Sequence, residues 1–343
     1  MGLQIGDIVL RRAIEFSELK GKSVAIDAYN TIYQFLSTIR QPDGTPLMDS
    51  KKRITSHLSG LFYRNINLLQ EGLKLVYVFD GEYPELKGKT NEKRKGIREE
   101  ARQKYKEAIE KEDVEEMGKY ARQMVKISDD IVEESKELLG ALGIVVVQAP
   151  GEGEAEASYL TKKGKAYAVG SQDYDSLLFQ APRLIQNLTL ARKRKTVSSW
   201  VYISPEIIEL EKVLNSLQIN IDQLICIGIL SGTDYNPGGI RGIGQKKALD
   251  IVRRYKEPYL IFKSVEDQIR RQAEEGKGFD WQEIFELFHK PDVKDKEIEF
   301  PKINERKIKE ILIEEHDFSE ERINNALEKL QEVKKQEGQK RLF

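Results

Sequence analysis

The sequence predicts an α/β protein with a mostly parallel sheet and helices on both faces, and three observations carry that reading. Four short β-rich runs are each followed by a helical pattern: "KSVAID" (22–27), "LKLVYVFD" (73–80), "GIVVVQA" (143–149) and "KAYAVG" (165–170). The runs are almost continuously apolar, as strands covered on both faces must be. From about residue 205 onward helical patterns dominate.

Taken in order, "VAID" leads into the helical pattern "AYNTIYQFL", and the second run ends in "VYVFD". Between the second and third runs lies a charged insertion, roughly 83–130, containing "KGKTNEKRKGIREEARQKYKEAIEKEDVEEMGKYARQMVK". Its helix propensity is high and its apolar stripe thin. That fits a solvated helical hairpin held by i,i+4 ion pairs, or an arm that grips a polyanion. Further on, "GTDYNPGGIRGIGQKKALDIVRRY" (232–255) is glycine-rich and then becomes a basic amphipathic helix. The tail "LEKLQEVKKQEGQKRLF" begins as helix and frays, and no internal repeat is present.

Composition narrows the classes. A chain of 343 residues suggests about two domains' worth of polypeptide or one elaborated domain, and 39% hydrophobic residues suffice for a core. No apolar run approaches the roughly 18 residues of a membrane span, and "MGLQIGDIVLRR" lacks the pattern of a signal peptide. The one cysteine, Cys226 in "QLICIGIL", excludes an internal disulfide and fits a reducing, cytoplasmic compartment, where it packs as a small apolar residue. Lys and Arg (56) nearly cancel Asp and Glu (57), so net charge gives no sign of a nucleic-acid binder; the basic residues are nevertheless clustered. Charged residues make up 33% of the chain, a Lys/Glu-rich composition that leans toward a thermophile.

The chemistry lies at the strand ends. In open parallel sheets ligands bind beyond the carboxyl ends of the strands. There "VAID" ends in Asp27, "VYVFD" in Asp80, "QAPGEGEAEA" supplies Glu152 and Glu154, and "SQDYD" supplies Asp173 and Asp175. Asp234 in "LSGTDY" is a seventh acid. Each has a bland reading as well: Asp27 could cap the next helix, Asp80 with Gly81 could form a turn, and Glu152 could sit at a helix start. Seven together are harder to dismiss. Two carboxylates about 4 Å apart repel by about 4 kcal/mol at an effective dielectric of about 20, so a cluster needs compensation. Divalent cations supply it. Hard ions such as Mg²⁺ take oxygen ligands, and seven acids exceed one Mg²⁺ site and suit two ions, the arrangement of two-metal phosphoryl transfer.

Other chemistries fit less well. His57, His289 and His316 are scattered without zinc-ligand spacing, and no serine elbow, Cys–His pair or P-loop signature is present. A two-carboxylate glycosidase would leave the basic clusters unexplained. One of these is "GGIRGIGQKKAL", where glycines expose backbone N–H groups at a helix start and Lys246 and Lys247 follow in a first turn that ordinarily favours acids. A second comprises Lys87, Lys89, Lys93, Arg94, Lys95 and Arg98, beginning just after Asp80; "ARKRK" (191–195) is a third. Near the first acid, Tyr33 offers a ring for base stacking and Arg40 a cation.

In this order, "VAIDAYNTIYQFL", "VYVFDG", "QAPGEGEA", "SQDYDSLLF", "GTDYNPGGIRGIG" and "HDFSEERI" resemble the structure-specific flap endonucleases of the 5′-nuclease superfamily, in their archaeal branch, from "MGLQIGDIV" to about residue 330. The resemblance implies a central mixed sheet, a helical arch and a helix–two-turn–helix that holds duplex. By motif match, Asp27, Asp80, Glu152, Glu154, Asp173, Asp175 and Asp234 are the metal carboxylates. Lys87 and Arg94 match arch-base contacts to the scissile phosphate, Tyr33 the base-stacking aromatic, and Gly242, Gly244, Lys246 and Lys247 the duplex-phosphate hairpin with its potassium ion. The implied activity is Mg²⁺-dependent hydrolysis of 5′ flaps, with 5′–3′ exonuclease activity and Mn²⁺ as a substitute metal. The enzyme would act as a monomer on branched DNA in replication and repair, at the nucleoid of an archaeon.

The implied regions are an N-terminal nuclease region (1–98), the arch (83–130), an internal nuclease region (116–256) containing the hairpin element (226–256), a C-terminal helical region (257–330) and a tail (331–343). There are two departures. Gly151 stands where a serine is usual. The family's clamp-binding tail reads Gln-x-x-aliphatic-x-x-aromatic-aromatic, whereas "QKRLF" aligns Gln339 and Leu342 without the closing pair, an incomplete motif for a sliding clamp. Two rival functions share the motifs: a catalytically silent scaffold for DNA junctions, and a metal nuclease directed at RNA. A phosphatase for small substrates would have no use for the arch or hairpin.

Overall fold

The computed structural model describes residues 3–41, 43–81, 88–111, 113–189, 193–195 and 200–340. Arg12–Ala13 (β1) is followed by Ser23–Asp27 (β2), which runs directly into Ala28–Thr38 (α1); Ser56–Gln70 (α2) then leads to Lys74–Phe79 (β3). The insertion forms Gly88–Glu110 (α3) and Val114–Gln123 (α4), and Asp129–Ala141 (α5) leads to Val145–Gln148 (β4). Gly153–Lys162 (α6), Ala168–Gly170 (β5), Asp175–Leu178 (α7) and Arg183–Gln186 (β6) come next. A hairpin of Lys193–Lys195 (β7) and Trp200–Tyr202 (β8) precedes Glu206–Glu209 (β9). The remainder is helical: Leu210–Leu217 (α8), Ile221–Ser231 (α9), Gln245–Tyr255 (α10), Pro258–Lys263 (α11), Glu266–Glu274 (α12), Trp281–His289 (α13), Glu305–Lys309 (α14) and Glu320–Lys340 (α15).

Seven strands form one sheet in the order β1-β9-β6-β5-β2-β3-β4. β2 pairs in parallel with both β3 and β5, β3 with β4, and β5 with β6; the β9 pairings with β6 and β1 are antiparallel. The four expected strands are therefore the parallel centre, extended by β6 and made mixed by β9 and β1. Side chains alternate between the two faces of a strand, and the core divides accordingly. Ala25, Val76, Val78, Val147 and Val169 join one apolar cluster with residues of α6, α9, α10 and α13. Val24, Ile26, Leu75, Tyr77, Phe79 and Ala168 join another with α1, α2, α5 and α15. The Tyr77 hydroxyl, buried in this second layer, donates to Asn65 Oδ1 at 2.9 Å.

The insertion is a pair of packed helices. Ala101, Ala108 and Ala121 of its thin apolar stripe are buried. Outside that stripe Lys104 pairs with Glu100 one turn earlier at 2.6 Å and lies 6.0 Å from the Tyr120 ring. Lys104–Glu100 is the one i,i+4 ion pair among the insertion's described side chains.

Among the described residues no single helix is long and apolar enough to cross a membrane. The pair α8 and α9 passes that test only together, bent by 83°, and α9 is enclosed in the core from Gln223 to Leu230.

Candidate metal centre

Parallel pairing brings the carboxyl ends of β2, β3, β4 and β5 to one edge of the sheet. The β3–β4 pair lies on one side of β2 and the β5–β6 pair on the other, so the chain reverses direction across the sheet there and opens a crevice. Every expected acid but Asp234 follows one of these strand ends.

Asp27 is the last residue of β2 and the N-cap of α1, where its Oδ1 accepts the Asn30 N–H at 3.1 Å. The capping role is real, and it orients the carboxylate without removing it from the crevice. Asn30 in turn donates from Nδ2 to Asp173 Oδ2 at 2.7 Å. Asp80 Oδ1 accepts the Gly153 N–H at the start of α6 at 2.6 Å, and Gln148 Nε2 donates to the Asp80 carbonyl at 2.5 Å. Gly81 N–H donates to Gly151 O at 2.7 Å, tying the two loops together.

Two glycines permit that approach. A Cβ on Gly81 would lie 2.3 Å from the carbonyl oxygens of Ala149 and Pro150, and one on Gly153 would lie 2.7 Å from Asp80 Oδ1.

Glu152 does sit at a helix start, as the N-cap residue of α6, but its side chain makes no capping bond there. Glu154 Oε1 accepts the Ser171 hydroxyl at 2.8 Å, and Ser171 Oγ accepts the Asp173 N–H at 3.2 Å. Asp175 opens α7, and its Oδ1 accepts the Leu3 N–H at 3.3 Å.

Electrostatics show which acids share the crevice. The Glu154 carboxyl is held well above its ordinary range, first by burial and then by the charges of Asp175, Asp27 and Asp173. Tyr235 is pushed up by burial and then by Glu152, Asp175 and Glu154. Tyr29, its ring 6.0 Å from Phe79, is raised by burial and then by Asp80. Asp234 adjoins Tyr235 and is half-buried. Among the described residues no three His, Cys, Asp or Glu side chains already stand closely enough to hold an ion. The donor set fits a hard divalent cation all the same: it is built of carboxylate oxygens, and their mutual repulsion is what a 2+ charge offsets.

The other expected residues are placed unevenly. Tyr33 is 46% exposed on α1. Arg40 is half-buried, and its Nε and Nη1 donate to the carbonyls of Leu36 and Gly44 at 2.8 and 2.7 Å. It is engaged with its own loop. Gly242 and Gly244 lead into α10, Lys246 is exposed in its first turn, and Lys247 Nζ donates back to Gly242 O at 3.3 Å. Lys87 lies outside the described residues, and Arg94 falls on α3 where side chains are not described. Leu342 is likewise outside them, as is the Gln339 side chain.

Sequence reasoning missed Asn30, Gln148, Ser171 and Tyr235. Each lies inside or beside a motif already singled out, and only folding reveals contacts such as Asn30 to Asp173.

Residues 3–101 match the XPG N-terminal domain and residues 143–234 the XPG I-region. Flap endonuclease 1 of Pyrococcus furiosus is 53% identical over 336 residues, spanning 97% of this chain and 96% of that protein. The chain belongs to the flap endonuclease family.

The structure of a flap endonuclease-1 from Methanococcus jannaschii aligns with a TM-score of 0.73 at 42% identity, over 97% of this chain and 98% of that one. The catalytic core of Rad2 in complex with DNA substrate shares the fold, with a TM-score of 0.68 at 20% identity over 95% and 97% of the two chains. The mixed sheet is thus the flap endonuclease scaffold.

Proposed function

We propose that this protein is a structure-specific endonuclease that hydrolyses phosphodiester bonds in 5′-flap DNA, with 5′–3′ exonuclease activity, in replication and repair. The observation that carries the reading is the meeting of carboxylates from three parallel strand ends, where Asp175, Asp27 and Asp173 raise the proton affinity of half-buried Glu154. Family membership supports the substrate class.

Asp27, Asp80, Glu152, Glu154, Asp173, Asp175 and Asp234 would hold two Mg²⁺ ions, with Mn²⁺ as a substitute. When bound, the ions supply positive charge at the scissile phosphate and lower the pKa of water there. The chain's own groups do the rest. Ser171, Asn30 and the Gly153 N–H fix the orientation of Glu154, Asp173 and Asp80 and so hold the acids ready before DNA arrives. Lys87 and Arg94 neutralise charge developing on the phosphate, Tyr33 stacks a base, and Arg40 adds positive charge beside it.

The hairpin of Gly242, Gly244, Lys246 and Lys247, with a potassium ion, grips duplex phosphates and reads no bases. The protein works as a monomer in the cytoplasm, at the nucleoid. A sliding clamp is a partner only through the incomplete tail motif.

The test uses end-labelled 5′-flap, nicked and single-stranded DNA, with matched RNA, each with and without Mg²⁺. Cleavage near the flap junction that needs Mg²⁺ and spares RNA is expected. Asp175→Ala and Asp80→Ala should lower the rate by at least about 10³-fold while flap DNA stays bound, since losing an acid reduces repulsion against phosphate. Substantial hydrolysis by purified Asp80→Ala would refute the site.

A further inference from the structure

The C-terminal helices received no functional role from their sequence, yet one of them reaches the duplex hairpin. Gln272, half-buried near the end of α12, uses both ends of its amide on the glycine-rich loop. Its Oε1 accepts the Arg241 N–H at 2.8 Å, and its Nε2 donates to Gly239 O at 3.0 Å. The side chain therefore mimics a strand partner for residues 239–241, immediately before Gly242 and Gly244.

Between the two bonded residues Ile240 is buried in the core and donates its N–H to Leu230 O at 2.9 Å, so the loop is pinned on its inner side and open on its outer one. An open cavity of about 470 Å³ lies between the loop 235–241 and the segment 276–279. A second tie crosses nearby, where the Arg241 guanidinium meets both oxygens of Glu275 at 3.3 and 3.1 Å.

The other end of the same loop is held separately. Asn236 Oδ1 accepts the Thr233 N–H at 3.1 Å and the Thr233 hydroxyl at 2.8 Å, and its Nδ2 donates to Ile229 O at 2.7 Å. Asn236 thus anchors the stretch that carries Asp234, and Gln272 the stretch that carries the phosphate-binding backbone.

We propose that Gln272 is a positioning residue for duplex binding, setting the hairpin backbone from α12 without touching the chemistry at the acids. This rests on the reading of Gly242–Lys247 as the duplex-phosphate hairpin. An amide that satisfies one backbone donor and one acceptor removes two degrees of freedom from a glycine-rich loop, which would otherwise lose them only on meeting DNA.

The experiment measures KM, kcat and salt dependence on flap DNA for the full chain and for Gln272→Met, which keeps the reach and lacks the amide. Loss of two backbone hydrogen bonds predicts a KM increase of about tenfold with kcat within about twofold, together with a shallower salt slope and a melting temperature lowered by a few degrees at most. Because α12 buries no residue, the fold should survive. Gln272→Glu is a second variant that keeps the acceptor and opposes the Gly239 carbonyl, and it should move KM in the same direction. A KM within twofold of the parent in both variants overturns the proposal, as does a fall in kcat at constant KM. Lys246→Ala with Lys247→Ala runs alongside: if that pair raises KM and the Gln272 variants do not, the role of Gln272 alone is wrong. If the lysine pair has no effect, the hairpin reading falls and the proposal with it.

Discussion

Glu154 is the residue on which the charge problem of the site converges. Its carboxyl is raised above the ordinary 4.5 by burial and by three neighbouring aspartates. A raised acid binds its proton more tightly in the folded state, so the stability of metal-free protein declines as pH rises from 4.5 into the raised range. Glu154→Gln should therefore raise the melting temperature of chelated protein at neutral pH. It should also shrink the stabilisation that Mg²⁺ gives the parent. A variant that melts below the parent in chelator would show that repulsion does not dominate there. Gly153 makes a complementary point. A methyl group on it would displace Asp80 Oδ1, so Gly153→Ala should cut the cleavage rate on the order of 10²-fold, since misplacing a catalytic group by about 1 Å costs that much. Single-turnover rates on flap DNA decide it.

At the scale of elements, a buried network joins α2, α5 and the turn after α14. His57 on α2 meets Glu134 Oε2 of α5 at 3.0 Å, and His316 lies 3.5 Å from the other oxygen of that carboxylate. His316 Nδ1 also lies 3.1 Å from Asp49, which pairs with Arg53 at 2.7 Å. Burial pushes the His57 pKa below 6.5 despite the pull of Glu134. Unfolded chains therefore take up protons first. Stability is full above about pH 6.5 and falls as pH drops through the depressed value. Melting temperatures should decline between pH 7 and pH 5.5, and His57→Gln should flatten that decline. An equally steep decline in the variant would assign the effect elsewhere. The histidines, scattered in sequence, are structural in this pair.

For the whole molecule, net charge near zero conceals two opposite surfaces: an acidic crevice at the sheet edge and a hairpin with Lys246 exposed. DNA binding should then follow local cations. Lys246→Ala with Lys247→Ala should weaken duplex binding by a similar factor on every sequence and lower the slope of log affinity against log salt by about 1 to 2. Titrations at several salt concentrations on two unrelated duplexes measure it. A loss confined to one duplex would contradict a backbone grip.

Much of this was written in the chain itself. The apolar runs ending in acids placed Asp27, Asp80, Glu152, Glu154, Asp173 and Asp175 at strand ends, because near-continuous apolar runs alternating with helical patterns mark the strands of a parallel sheet. The glycine–lysine hairpin was legible for the same reason, as local backbone chemistry. What remained hidden depends on residues far apart in the chain: Asn30 reaching Asp173, Gln148 reaching Asp80, and Gln272 bridging Gly239 and Arg241. Arg40 was legible as a cation, and only the folded chain shows its guanidinium steadied by the carbonyls of Leu36 and Gly44. Sequence by itself determined which chemistry the crevice holds, since side-chain type and strand end are local properties. Tertiary structure alone decided which groups orient those acids, since a bond such as that of Asn30 to Asp173, 143 residues apart, exists only once the sheet has formed.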